Sequence, residues 1–262
     1  MSTTETETIE LAENFLRDGL TLGTRGLCDD ALDSLDQAIV ACETFKGDSF
    51  AVRTLAAQAL SNKGAALGDL DRHKESVKCY DAAIAIYREL ADQSDHEGII
   101  ANYAVAVMNK GWSFLNLGRH ESGFRCLEES LALRRRLVAN GNQTAISDVA
   151  RTLYNIGEGY FRAKQFAKAV PAFDEALNIL WKLIAAGHRE HEEDFAYVLA
   201  AQADTFQKLD RLEEAQSTST EAITLFVKLA GGKRNPKLAS ALAAALDGRE
   251  IISLKLTKAR PA

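Results

Sequence analysis

The residues best placed to hold a metal are the two histidines of the run His188-Arg-Glu-His191-Glu-Glu, which stand three apart and could reach one ion from a single helix. The run is a charged stretch between two apolar, periodic segments, and no matched ligands lie near it in sequence. His73 and His120 occupy equivalent places in two copies of an internal repeat, so they report duplication rather than catalysis. No Gly-rich phosphate loop, G-x-S-x-G elbow or H-E-x-x-H pair occurs. Cys28, Cys42, Cys79 and Cys126 lack C-x-x-C spacing and sit inside helical patterns, which fits reduced, packed thiols in a cytoplasmic protein. No catalytic residue, metal or cofactor is expected.

Charge narrows the partner class. The formal net charge is −6 and the one basic run is Arg134-Arg135-Arg136, so no nucleic acid is expected as a ligand. The opening MSTTETETIE is polar and acidic, and no apolar run approaches the roughly 20 residues of a membrane span. Residues 1–9 are expected to be a flexible N-terminus, and neither a membrane nor an export signal is expected.

The elements that position any site come from self-similarity. The segment 60–90 realigns without gaps on 107–137, both carrying Asn-Lys-Gly, and 15–45, 153–183 and 199–229 keep the same register. The marker residues Gly19, Gly64, Gly111, Gly157 and Ala203 are 45, 47, 46 and 46 apart. Each copy holds two amphipathic stretches separated by a short turn at Gly26, Asp71-Arg72, Gly118-Arg119, Lys164-Gln165 and Asp210-Arg211. The unit is therefore a helical hairpin, with approximate bounds 10–47, 48–94, 95–141, 142–188 and 189–232. A second small residue recurs 12 positions after the marker, at Ala31, Ser76, Gly123, Ala169 and Ala215. Small side chains on facing helices let the axes approach, while Leu67, Phe114, Tyr160 and Phe206, three after the marker, fill the space beside them. A last segment, 235–258, reads as one helix without a partner, opened by Pro236 and capping the apolar end of the array.

A small residue followed by Leu or an aromatic three later, a small residue 12 later and an aromatic 16 later (Tyr80, Phe173) resembles the tetratricopeptide repeat. The unit of about 46 residues is longer than that family's usual one and looks like the bacterial long repeats of the "MNKG…LGR" kind. Lys63, Lys110 and Gln202 stand where the family usually has Leu, and Ser219 where it has an aromatic. The resemblance implies an all-α fold: a right-handed superhelical solenoid of five antiparallel helix pairs plus a C-terminal capping helix. It also implies a concave groove lined by the first helix of each pair.

At 100° per residue, positions 6, 3 and 2 before the marker and 1, 4 and 5 after it share an arc of about 120° that faces this groove. The arc holds a ladder of Asn62, Asn109 and Asn155, whose amides can donate to and accept from a peptide backbone or bond to neighbouring helices. It also holds Trp112, Tyr154, Phe161 and Tyr197, rings suited to binding hot spots or to inter-repeat core, together with Arg151 and Glu158. Asn109, Arg151 and Asn155 match part of the clamp by which some relatives grip a terminal carboxylate. Ser61 and Ala65, or Leu16 and Leu20 one repeat earlier, occupy the remaining places, so a full clamp is not expected. The expected function is a non-catalytic scaffold or adaptor that binds a peptide or helix of a protein partner. The alternatives are a regulatory subunit of an enzyme complex and, less favoured, an RNA-binding helical repeat. The terminal helix offers a surface for self-association.

Overall fold

A computed structural model describes residues 4–94, 96–231 and 236–259, with side chains described up to residue 257. Among the described residues there are eleven α-helices and one short 3-10 turn. They form two compact units, Met1–Asn142 and Gln143–Ala262.

The first unit holds α1 (Glu5–Thr24), α2 (Cys28–Thr44), α3 (Phe50–Asp69), α4 (His73–Gln93), α5 (Glu97–Asn116) and α6 (His120–Ala139). They pair as three hairpins, and α3 and α5 pack on the second helix of the hairpin before them. The second unit holds α7 (Ala145–Arg162), α8 (Phe166–Ala185), the 3-10 turn Arg189–His191, α9 (Glu192–Lys208), α10 (Leu212–Ala230) and α11 (Pro236–Ala259). Here two hairpins are followed by α11, which packs mainly on α10.

The chain departs from expectation at its start. The first helix begins at Glu5, inside the stretch 1–9 expected to be flexible, because Thr4 and Glu7 form a reciprocal capping box. The Thr4 hydroxyl accepts from the Glu7 amide at 3.3 Å and the Glu7 carboxylate accepts from the Thr4 amide at 2.9 Å, so two donors orphaned at the helix start are satisfied. From Thr4 on, the polar opening expected to be flexible carries a helix-start signal. At the other end, residues 232 and 235, given as the limits of the fifth repeat and the last helix, lie outside the described residues.

All five hairpin turns use one device. Gly26, Asp71, Gly118, Lys164 and Asp210 have φ between 57° and 76°, and the amide of the next residue donates back to the carbonyl three after each marker. Those bonds run from Leu27 to Leu22, Arg72 to Leu67, Arg119 to Phe114, Gln165 to Tyr160 and Arg211 to Phe206, at 2.8–3.0 Å. This left-handed helix stop is cheapest for glycine, and three of the five positions lack it. Lys164→Gly should therefore stabilise the second unit by about 0.5–1 kcal/mol, relief of the left-handed strain exceeding glycine's added unfolded-state freedom. Urea denaturation checks this; an unchanged or lower midpoint would contradict it.

The markers are contact points. A Cβ on Gly64 would stand 2.9 Å from the Tyr80 ring, and one on Gly19 2.8 Å from Leu35, while at Gly157 it would run into Phe173. Each glycine thus receives the side chain 16 residues on, from the second helix of its own hairpin. Ser76, at one of the small positions, also carries a polar bond: its hydroxyl donates to the Gly64 carbonyl at 2.7 Å and meets the Ser113 hydroxyl at 2.9 Å, all three buried.

The positions that depart from the family pattern tie adjacent hairpins together. Lys63 pairs with Asp36, Lys110 with Asp81 at 2.6 Å, and the Gln202 amide donates to the Asp174 carboxylate at 2.6 Å. Each joins a first helix to the second helix of the preceding hairpin, where Leu would make only apolar contact. The two ion pairs, each open to solvent on its acidic side, add little stability but hold one register between neighbours.

Candidate functional site

The groove residues divide between the units. In the first, Asn62 lies in a shallow cleft of about 320 Å³ with Leu20, Gly23, Ala65 and Asp69. Asn109 is half-buried on α5 and lies near the buried Tyr80 hydroxyl, whose acidity is weakened chiefly by burial. Trp112 is half-buried on α5. A second, more polar cleft of the first unit is lined by Asp33, Asp36, Lys63, Arg72, Glu75 and Lys78, with Lys63 paired to Asp36 and Arg72 to Glu75.

The second unit brings its residues together. Arg151, Tyr154 and Asn155 of α7, Tyr197 of α9 and Lys237, Ala241 and Ala244 of α11 line one cleft of about 760 Å³. A smaller recess of about 190 Å³ lies beside it, sharing Tyr154, Tyr197, Ala241 and Ala244 and adding Glu158, Asp204 and Ser219. Phe161 joins neither set; half-buried, it packs edge-on against Phe166 across the hairpin turn at 5.3 Å.

Both tyrosines are anchored in the core and open to the cleft. The Tyr154 ring leans on the fully buried Phe173 at 6.1 Å, and Tyr197 stands edge-on to the equally buried Phe226 at 5.4 Å. The same two side chains thus pack on the core and line the cleft. Burial pushes the Tyr154 hydroxyl up to about 12, so at neutral pH it is a neutral group able both to donate and to accept. Arg151 is exposed at the rim and donates to Asp148 one turn earlier. Asn155 lies half-buried beside it.

Two carboxyls face the recess. Burial raises the pKa of Glu158, the nearby Asp204 charge adds to that, and Arg162 one turn on opposes it. Asp204 is raised too, chiefly by desolvation and against the pull of Lys208. One face of Asp204 remains open to solvent, and the raised value reflects the protein crowded around the rest. A folded-state pKa above the unfolded one means the folded chain holds the proton more tightly, so stability falls as pH rises through the folded value. Glu158→Gln should therefore melt higher than the parent at pH 7, with the gap closing toward pH 4. Equal melting temperatures at pH 7 would contradict it.

The recess owes its space to a departure visible in the sequence. Ser219 stands 16 after the marker Ala203, where Tyr80 and Phe173 fill the equivalent place in other hairpins, and no ring occupies it here. The buried Ile252 of α11 instead packs on Phe206 and Ala215. The last helix therefore packs on α10 and also forms a wall of both clefts, a role missed when it was read as an end cap and a surface for self-association. In the recess it presents Ala241, Ala244, Ala245, Gly248 and Ile252, and a Cβ on Gly248 would be 3.5 Å from the Asp204 carboxylate. Their signal was the return of small residues at 241, 244, 245 and 248, on one helical face.

Among the described residues no cluster of three or more His, Cys, Asp or Glu could hold a metal, and no helix is long and apolar enough to cross a membrane. His188 and His191 stand with ring centroids 6.5 Å apart.

Residues 56–97 match the family model described as a tetratricopeptide repeat. No curated protein matches the chain. Among solved structures it is similar to a Podosopora anserina putative kinesin light chain with nearly identical TPR-like repeats: TM-score 0.67, 13% identity, 88% of this chain and 100% of that one. It is similar also to BtubC (BKLC) from P. vanneervenii, with TM-score 0.66, 15% identity and 89% and 95% of the two chains covered. A Pyrococcus horikoshii signal-transduction ATPase with a tetratricopeptide repeat sensor aligns over 95% of this chain and 36% of its own, at TM-score 0.65 and 16% identity. At these identities the likeness is one of fold.

Proposed function

Taking the chain as a tetratricopeptide-type repeat protein, we propose that it is a non-catalytic scaffold or adaptor whose second unit binds a peptide segment of a protein partner in the cleft between α7, α9 and α11. The observation that carries this reading is the convergence of Arg151, Tyr154, Asn155 and Tyr197 on one cleft of about 760 Å³. Rings with buried bases and open edges supply contact area at little cost in side-chain freedom, and Asn155 beside them can orient an extended backbone. The facing wall of small residues on α11 lets a backbone approach closely.

A wedge tests the reading. Ala244 is exposed and lines both clefts, so Ala244→Trp should fill them without disturbing the core. Peptides selected from a random library on the parent protein are expected to lose binding to this variant while its melting temperature stays unchanged. Undiminished binding would place the interaction elsewhere.

A further inference from the structure

The recess beside the main cleft has an uneven chemistry. Glu158 and Asp204 are the charged residues among those lining it; the others are two tyrosines, alanines, Ser219, Gly248 and Ile252. Arg162 and Lys208 act on the two carboxyls from one turn further along the same helices, and neither lines the recess. Two carboxyls thus share a recess with aromatic and small apolar side chains, where the protein around them makes ionisation costlier than in water. The metal alternative is disfavoured, because among the described residues no third acidic, histidine or cysteine ligand joins them and a hard cation needs a fuller oxygen shell.

We propose that the cleft of the second unit recognises peptides carrying a lysine or arginine, whose aliphatic stem lies between Tyr154, Tyr197 and the alanines of α11 and whose cationic head meets Glu158 and Asp204. The proposal rests on the cleft reading above and specifies its ligand. Long basic side chains combine the two properties the recess asks for, an apolar stem and a charged end. Tyr154 and Tyr197 supply ring surface to the recess, and the small side chain of Ser219 takes little of its space. The carboxyls, raised by desolvation while the site is empty, regain a counter-charge when it is filled.

Random peptides are panned on the intact chain, and selected sequences are synthesised with a fluorescent label and measured by anisotropy. The selected set is expected to share a lysine or arginine. Replacing that residue by norleucine should weaken binding on the order of 30-fold, the scale seen when one partner of a desolvated charge pair is removed. The double variant Glu158→Gln, Asp204→Asn should weaken the parent peptide by a similar factor and the norleucine peptide hardly at all, a non-additivity that damage to the fold would not produce. Binders that lack a basic residue yet still need Tyr154 and Tyr197 overturn the proposal and leave the cleft reading standing. Binders indifferent to both tyrosines, or no enrichment at all, overturn both.

Discussion

Phe173→Ala lowers the stability of the second unit by about 3–5 kcal/mol, the range for removing a fully buried phenylalanine and leaving a cavity. The ring is 0% exposed, fills the space a Cβ on Gly157 would need, and supports Tyr154 at 6.1 Å. Ala169 and Ala176, a turn to either side on α8, are both fully buried and too small to fill the gap. Domains are commonly stable by only about 5–15 kcal/mol, so this change removes a large share. The two tryptophans make the measurement local: Trp112 lies in the first unit and Trp181, 59% exposed and leaning on Phe195, in the second. In a Trp112→Phe background, Trp181 emission followed through urea reports the second unit. A loss under about 1 kcal/mol would show that this ring is not the keystone of its hairpin.

The second large effect concerns binding. Tyr154→Ala and Tyr197→Ala should each weaken a selected peptide by about 2 kcal/mol or more, roughly 30-fold, as expected of aromatic hot spots at the centre of an interface. The phenylalanine substitutions separate ring from hydroxyl. Tyr154→Phe and Tyr197→Phe keep the packing on Phe173 and Phe226 and are expected to lose much less than the alanine variants. Melting curves serve as the control, since both rings also lean on the core. If alanine and parent bind alike in anisotropy titrations, the tyrosines are packing residues and the site is elsewhere.

These two tests bear on different halves of the same side-chain pair. The Tyr154 ring leans on Phe173, and Tyr154 lines the cleft. A milder Phe173→Leu that retained most of the stability should therefore still weaken peptide binding, because the smaller side chain leaves Tyr154 without its support.

The sequence by itself determined what depends on neighbours along the chain. Helical periodicity, the repeated small residues and the turn residues Gly26, Asp71, Gly118, Lys164 and Asp210 state where each helix runs, which face is apolar and where the chain reverses. Those properties follow from 3.6-residue spacing and from the few residues tolerant of a left-handed backbone. The N-terminal cap was equally local, and it was overlooked because an acidic opening reads first as solvent-exposed.

Only the tertiary structure decided which faces meet. Asn62, Asn109 and Asn155 share one position in the repeat, yet Asn62 and Asn155 line clefts of different character while Asn109 is half-buried near the Tyr80 hydroxyl. Lys63, Lys110 and Gln202 looked like breaks in an apolar pattern until Asp36, Asp81 and Asp174 came opposite them from the preceding hairpins. The candidate site is the strongest case: α7, α9 and α11 come from three separate stretches of chain, and the recess exists because Ser219 is small and Ile252 packs beside it. Helical phase places a residue on a face, whereas the packing angle between helices decides what that face looks at. That angle is set by many side chains at once and is not written at any single position.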